Sequence, residues 1–258
     1  MYIDLQAPTT WDRKMEVTVP WERVAATYQQ IVAPWQSLSV RGFRPGKIPP
    51  SVWNATYGKE IQKELVARLA SPLCREAFHE KGITRHAPIA IKEAHYLQGK
   101  SFSFTAYFTL IPPFDLPDYA HLQLMEQNTS QQIDEVTSKL LEATTLSVPS
   151  SLVDNECAYG TETLPEQRRQ AAHDRVKLML ILKEIAAKEG IEVDDRDIEE
   201  RLNQMVRQND PQKNDPRQND QEVAALKESL LQAGSLPRLA DAILAEYVLQ
   251  FIIDNQLT

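Results

Sequence analysis

Hydrophobic and polar residues change their period roughly halfway along the chain. Residues 15–19, Met-Glu-Val-Thr-Val, alternate as a half-buried strand does. Pro20 ends that strand and can open a helix from its first turn, with Val24, Ala25, Tyr28, Ile31 and Val32 at helical spacing. Residues 37–51 are turn-rich and hold two glycines and three prolines. The helical pattern returns over 52–81, where Ile61, Leu65, Leu69, Leu73 and Phe78 share a face and Gly82 suits the position after the helix end. Residues 88–91 and 102–111 read as strands joined by a turn at Gln98-Gly99-Lys100. The order β-α-α-β-β predicts a small α+β domain that closes near Pro112-Pro113.

Beyond that point the strand period nearly vanishes. Residues 114–127 hold one short alternating run, Leu122-Gln123-Leu124-Met125, and read as an extended arm. Helices follow. Thr129 or Ser130 caps one bearing Ile133, Val136 and Leu140, and Pro149 opens another with Leu152 and Val153 and a break near Gly160. A long helix runs from Pro165 to Gly190. Asp194, with Asp197 three positions on, imitates a capping box ahead of Ile198, Leu202, Met205 and Val206. Residues 209–220 are polar and repetitive and are expected to form a loop. Two last helices, 221–233 and 236–255, complete the pattern, the second with Leu239, Ile243, Tyr247 and Phe251 on one stripe. Two domains are therefore expected, 1–115 and 116–258.

Composition sharpens this division. Residues 1–115 hold 14 Lys and Arg against 10 Asp and Glu; residues 116–258 hold 14 against 26, so balances of +4 and −12 make up the net −8. A basic front half and an acidic back half suggest different partners for each. No stretch approaches the roughly 18 apolar residues that cross a bilayer, and the first residues have neither a basic nor an apolar leader region. A cytoplasmic protein with two free thiols, Cys74 and Cys157, is expected, although one disulfide stays open at this stage.

One segment departs from ordinary folding needs: Arg41-Gly42-Phe43-Arg44-Pro45-Gly46-Lys47-Ile48-Pro49. An aromatic beside two arginines, between two glycines and bounded by prolines, suits neither a helix interior nor a central strand. It is expected to be an exposed, stiffened loop. Phe43 buried in a partner pocket is worth roughly 1.5–3 kcal/mol. A charge-assisted hydrogen bond from Arg44 adds roughly 1.5–3 kcal/mol. After association entropy is subtracted, such a contact is weak and exchanges fast.

The string Gly-Phe-Arg-x-Gly-Lys, after a strand and helix and before a second helix carrying Tyr57-Gly58-Lys59-Glu60-Ile61, resembles the ribosome-binding domain of the trigger factor family. The resemblance runs from about residue 15 to 114. It implies that Phe43 and Arg44 dock on a ribosomal protein beside the nascent-chain tunnel exit, with ribosomal RNA adjacent. Gly42 and Gly46 would shape the loop, and Arg41 and Lys47 would supply charge. Many members carry a second cation where this chain has Pro45, which removes one electrostatic contact but stiffens the loop. Residues 146–153, Leu-Ser-Val-Pro-Ser-Ser-Leu-Val, resemble the opening of the family's SurA-like helical domain. The FKBP-type prolyl-isomerase domain that most members place before this point has no room here. The implied fold is thus an α+β ribosome-binding domain, an extended arm and an all-α SurA-like domain.

No His-x-x-x-His or Cys-x-x-Cys spacing, phosphate loop or nucleophile elbow occurs, so neither a metal nor a cofactor is expected. His79-Glu80 and His173-Asp174 read as solvated helix pairs, and Cys74 as a small core residue. The expectation is a non-enzymatic, ATP-independent chaperone that binds the ribosome and nascent or unfolded chains, with no membrane partner and with a homodimer left open. The alternative is a ribosome-independent assembly chaperone or oligomeric scaffold. A helical nucleic-acid binder is disfavoured by the acidic back half. The client-facing residues are not legible.

Overall fold

The computed structural model of the chain describes residues 1–34, 50–125, 128–159, 164–209 and 216–256. The chain divides into two compact units, Met1–Pro112 and Pro113–Thr258, an α+β unit followed by an all-α one.

The first unit is an antiparallel sheet of β1 (Tyr2–Gln6), β2 (Asp12–Pro20), β3 (Ala90–Leu97) and β4 (Ser101–Thr109), in the spatial order β1-β2-β4-β3. Register puts Met15 beside Ala106, Val17 beside Phe104 and Val19 beside Phe102, so one sheet face is continuous apolar surface. Two helices complete the core: α1 (Ala25–Val32), which follows a single 3-10 turn at Trp21–Arg23, and α2 (Pro50–Lys81). They contribute Tyr28, Ile31, Ile61, Leu65, Leu73 and Phe78, all buried. A fully buried side chain of this kind is worth about 1.5–3 kcal/mol, so this layer holds the unit together. Gly82 ends α2 with φ +65, and Ile83 N–H donates to the Phe78 carbonyl at 2.9 Å, which closes the last turn.

Two strands differ from expectation. β1 was not anticipated: its alternation rests on Ile3 and Leu5 alone, and pairing with β2 stabilises a segment too short to announce itself. β3 extends to Leu97, whereas the alternation stops at residue 91. A bulge between Lys92 and His95, with Glu93 at φ 52, breaks the two-residue period there.

The second unit begins with an extended strap, residues 113–125, free of helix and strand. Among the described residues six helices follow: α3 (Thr129–Ala143), α4 (Ser150–Cys157), α5 (Pro165–Glu189), α6 (Asp195–Asn209), α7 (Pro216–Gln232) and α8 (Leu236–Gln256). Val136 and Leu140 of α3, Ile181, Leu182 and Ile185 of α5, and Val248, Ile252 and Ile253 of α8 form its core. The cap of α3 is Asn128, not Thr129 or Ser130; its side chain accepts from Ser130 N–H at 2.9 Å. At α6 the capping box forms as expected. Asp194 Oδ1 accepts from Arg196 N–H at 2.7 Å and Asp197 N–H at 3.0 Å, while Asp197 Oδ2 accepts from Asp194 N–H at 2.8 Å.

Of the loop expected over 209–220, residues 210–215 lie outside the described residues, and the far end is already helix, because α7 starts at Pro216. A proline fits the first helical position, where its missing N–H costs nothing. The expected stripe on α8 is also redrawn. Ile243 is buried, but Tyr247 is 40% exposed, and the core residues are Val248, Leu249, Ile252 and Ile253. The Tyr247 hydroxyl donates to Asp197 Oδ1 at 2.8 Å, which turns that side chain toward α6 and not into the core.

Candidate functional site

The residues expected to dock, Arg41, Gly42, Phe43, Arg44, Pro45, Gly46 and Lys47, lie outside the described residues. The structure does define the two helices that bracket them. α1 is buried at its last turn through Ile31 and Val32, and α2 is anchored from Ile61 onward. Between these helices and the sheet, Trp21 stacks edge-on against Tyr28 at 5.0 Å, and Tyr28 lies 6.0 Å from Tyr96 of β3. Burial pushes the Tyr96 phenol up to about 12, with Tyr28 adding to the effect, so both rings stay neutral at any physiological pH. Arg23 forms a two-pronged ion pair with Glu76 at 3.0 and 2.6 Å, tying the 3-10 turn to α2. Under it lies a cavity of about 120 Å³ lined by Val19, Val24, Leu69, Pro72 and Leu73. That volume falls below the roughly 300 Å³ at which small-molecule sites begin. On the outer side of α2, Lys59 and Lys63 are exposed one turn apart.

The helical unit offers two features that sequence reasoning missed. The first is polar. Glu156 of α4 accepts from Arg175 Nε of α5 at 3.0 Å and from Arg238 of α8, and the Arg238 guanidinium stacks 3.4 Å from the exposed Tyr159 ring. Three helices are thereby pinned at one carboxylate. The second is apolar. Ile198, Met205 and Val206 of α6 and Val223, Leu226 and Leu230 of α7 are only half-buried, and Leu202 is the residue of this set that is sealed. The α6–α7 hairpin is attached to α8 by Tyr247–Asp197 and by the Arg201–Glu246 ion pair. These side chains would show in a sequence as ordinary amphipathic stripes, with nothing to separate half-sealed from sealed.

Among the described residues no group of three His, Cys, Asp or Glu could hold a metal ion. His173 Nδ1 meets Asp174 at 3.1 Å on the exposed side of α5, a solvated pair. Cys74 and Cys157 are both free. Cys74 is buried, and its thiol is pushed up to about 11 by that burial. No helix among the described residues is long and apolar enough to cross a membrane.

Comparison with known proteins gives matches at both ends. Residues 1–143 match the family model described as bacterial trigger factor protein (TF), and residues 159–254 match the model for the C-terminus of that protein. Only residues 144–158 separate the two matched regions, which leaves no space for a further domain between them. A trigger factor of Maridesulfovibrio salexigens is 28% identical over 147 residues, 55% of this chain and 34% of its own length. One from Nitratidesulfovibrio vulgaris strain Hildenborough is 30% identical over 132 residues, 50% of this chain and 30% of its own. The aligned part thus spans about a third of these relatives. A solved structure described as "Promiscuous Substrate Recognition in Folding and Assembly Activities of the Trigger Factor Chaperone" superposes over 98% of this chain and 99% of that one. Its TM-score is 0.47 at 10% identity, too loose to define the fold.

Proposed function

The chain belongs to the trigger factor family, and on that footing we propose that it is an ATP-independent chaperone that docks beside the ribosomal tunnel exit and shields apolar segments of emerging chains. The observation that carries the reading is the string Gly42-Phe43-Arg44-Pro45-Gly46-Lys47, placed between the two helices of an α+β unit and followed by an all-α unit. Arg41, Arg44 and Lys47 supply cations for ribosomal RNA or an acidic protein surface, and Phe43 supplies the apolar anchor.

The α6–α7 hairpin is the client-facing part of this proposal. Half-buried apolar residues backed by charged faces bind many sequences weakly, because apolar contact has no direction. The acidic surplus of residues 116–258 keeps a loaded complex soluble through self-repulsion. With residues 144–158 alone between the two family regions, the proposal includes no prolyl-isomerase activity. The place of work is the cytoplasm.

Replacing Phe43, Arg44 and Pro45 together by alanine is expected to abolish co-sedimentation with ribosomes while circular dichroism stays that of the wild type. Undiminished pelleting would refute the docking role. Pro45, standing where the family commonly has a cation, favours a second reading: a ribosome-independent assembly chaperone or scaffold. In that case the wild type would not pellet with ribosomes. It would form stable complexes in ribosome-free lysate, seen by size-exclusion chromatography with light scattering.

A further inference from the structure

The strap across residues 113–125 is seated on the helical unit in an unusual way. Its apolar residues form two pairs, Phe114 and Leu116, then Leu122 and Leu124, on either side of a turn at Ala120-His121; all four pack half-buried against the core of α3, α5 and α8, with Tyr119 buried between the pairs. Its main chain is held by side chains of the helices. Gln256 Nε2 donates to the Tyr119 and Ala120 carbonyls at 3.0 and 2.9 Å, and Gln256 Oε1 accepts from Leu122 N–H at 2.8 Å. Lys139 Nζ donates to the Leu122 and Gln123 carbonyls at 2.9 and 2.8 Å, and Glu135 accepts from Met125 N–H at 3.0 Å. Three side chains therefore grip six main-chain atoms.

We propose that this groove is a binding site for polypeptide that carries apolar residues at alternate positions on either side of a turn, occupied at rest by the chain's own strap. The inference rests on the chaperone reading and gives it a second client site. Main-chain contacts accept any side chain at the positions they hold, and the apolar pockets select only for apolarity. The resident strap is also a poor competitor. Tyr119 is its one sealed residue, donating to Glu189 Oε1 at 2.5 Å, whereas Phe114, Leu116, Leu122 and Leu124 are each only half-buried over sealed helical residues, so the strap opens at lower cost than the core.

The test weakens the strap and leaves the groove intact. In the full chain, Leu116, Leu122 and Leu124 are changed to serine, and binding of a fluorescent synthetic peptide with the wild-type sequence of residues 113–125 is followed by anisotropy. A vacated groove raises apparent affinity in proportion to the open fraction, so the variant should bind roughly tenfold tighter than wild type or better. Adding Lys139→Ala and Gln256→Ala should remove that binding. The strap variant should also suppress aggregation of a reduced, unfolded probe protein more than wild type does. Equal peptide affinity in the variant and wild type overturns the proposal, and so does tight peptide binding with no gain in aggregation suppression. Should the triple variant lose helix by circular dichroism, the single Leu124→Ser variant decides by the same readouts. None of these assays contains ribosomes, so a failure here is distinct from a failure of docking.

Discussion

Gly58 stands in the interior of α2, where glycine is about 0.5–1 kcal/mol less stabilising than alanine. An added Cβ would meet the Tyr96 hydroxyl at 3.6 Å, an ordinary contact, and its φ is not in the left-handed region. The fold therefore has no steric need of this glycine. Gly58→Ala is expected to stabilise the first unit by about 0.5–1 kcal/mol in urea titration, since an unstrained alanine restricts the unfolded chain and favours the helix. A loss of stability would mean that the Tyr96 contact is tighter than the backbone indicates.

Among the helices, the latch between α6 and α8 responds to pH. Hydrogen bonds from Asp194 N–H and then from the Tyr247 hydroxyl hold the Asp197 carboxyl below its ordinary value. The bond to Asp197 in turn holds the Tyr247 phenol above its own. A depressed carboxyl stabilises the fold fully above its unfolded value and loses that contribution as pH falls through the folded one. A raised phenol contributes fully below its unfolded value and loses that contribution as pH rises through the folded one. Protection of the α6 amides, the exchange rate taken relative to that of an unfolded chain at the same pH, should accordingly be greatest near neutral pH and fall as pH drops from the ordinary aspartate value through the lowered one. In Asp197→Asn the acid limb should flatten. The capping box behind this latch was legible because Asp-x-x-Asp ahead of an amphipathic run has a local meaning. Tyr247 was not: its place on the α8 stripe predicts burial, and only a partner fifty residues away turns it outward. The bulged end of β3 was hidden in the same way, since one inserted residue erases the period from which a strand is read. The string at residues 42–47 stands out as a motif, though it lies outside the described residues, whereas the Gln256 clamp leaves no trace, because a glutamine near the end of a helix has no local signature.

At the scale of the molecule, the two apolar cores share no residue. Leu65→Ala in the first and Leu140→Ala in the second should each cost about 2–5 kcal/mol, both positions being fully sealed. In a two-step denaturant unfolding curve each substitution should move a different step, and a single shared step would show that the units unfold as one. The bulge at Glu93 bears on conduct in a crowded cell. An edge strand with unsatisfied amides is a template on which any loose chain can add another strand. Here one edge, β3, is bent by its bulge and carries Lys92 and Glu93, and the other, β1, is five residues long. For a chain that handles unfinished proteins, as proposed, such blunted edges give a stray strand little to add to.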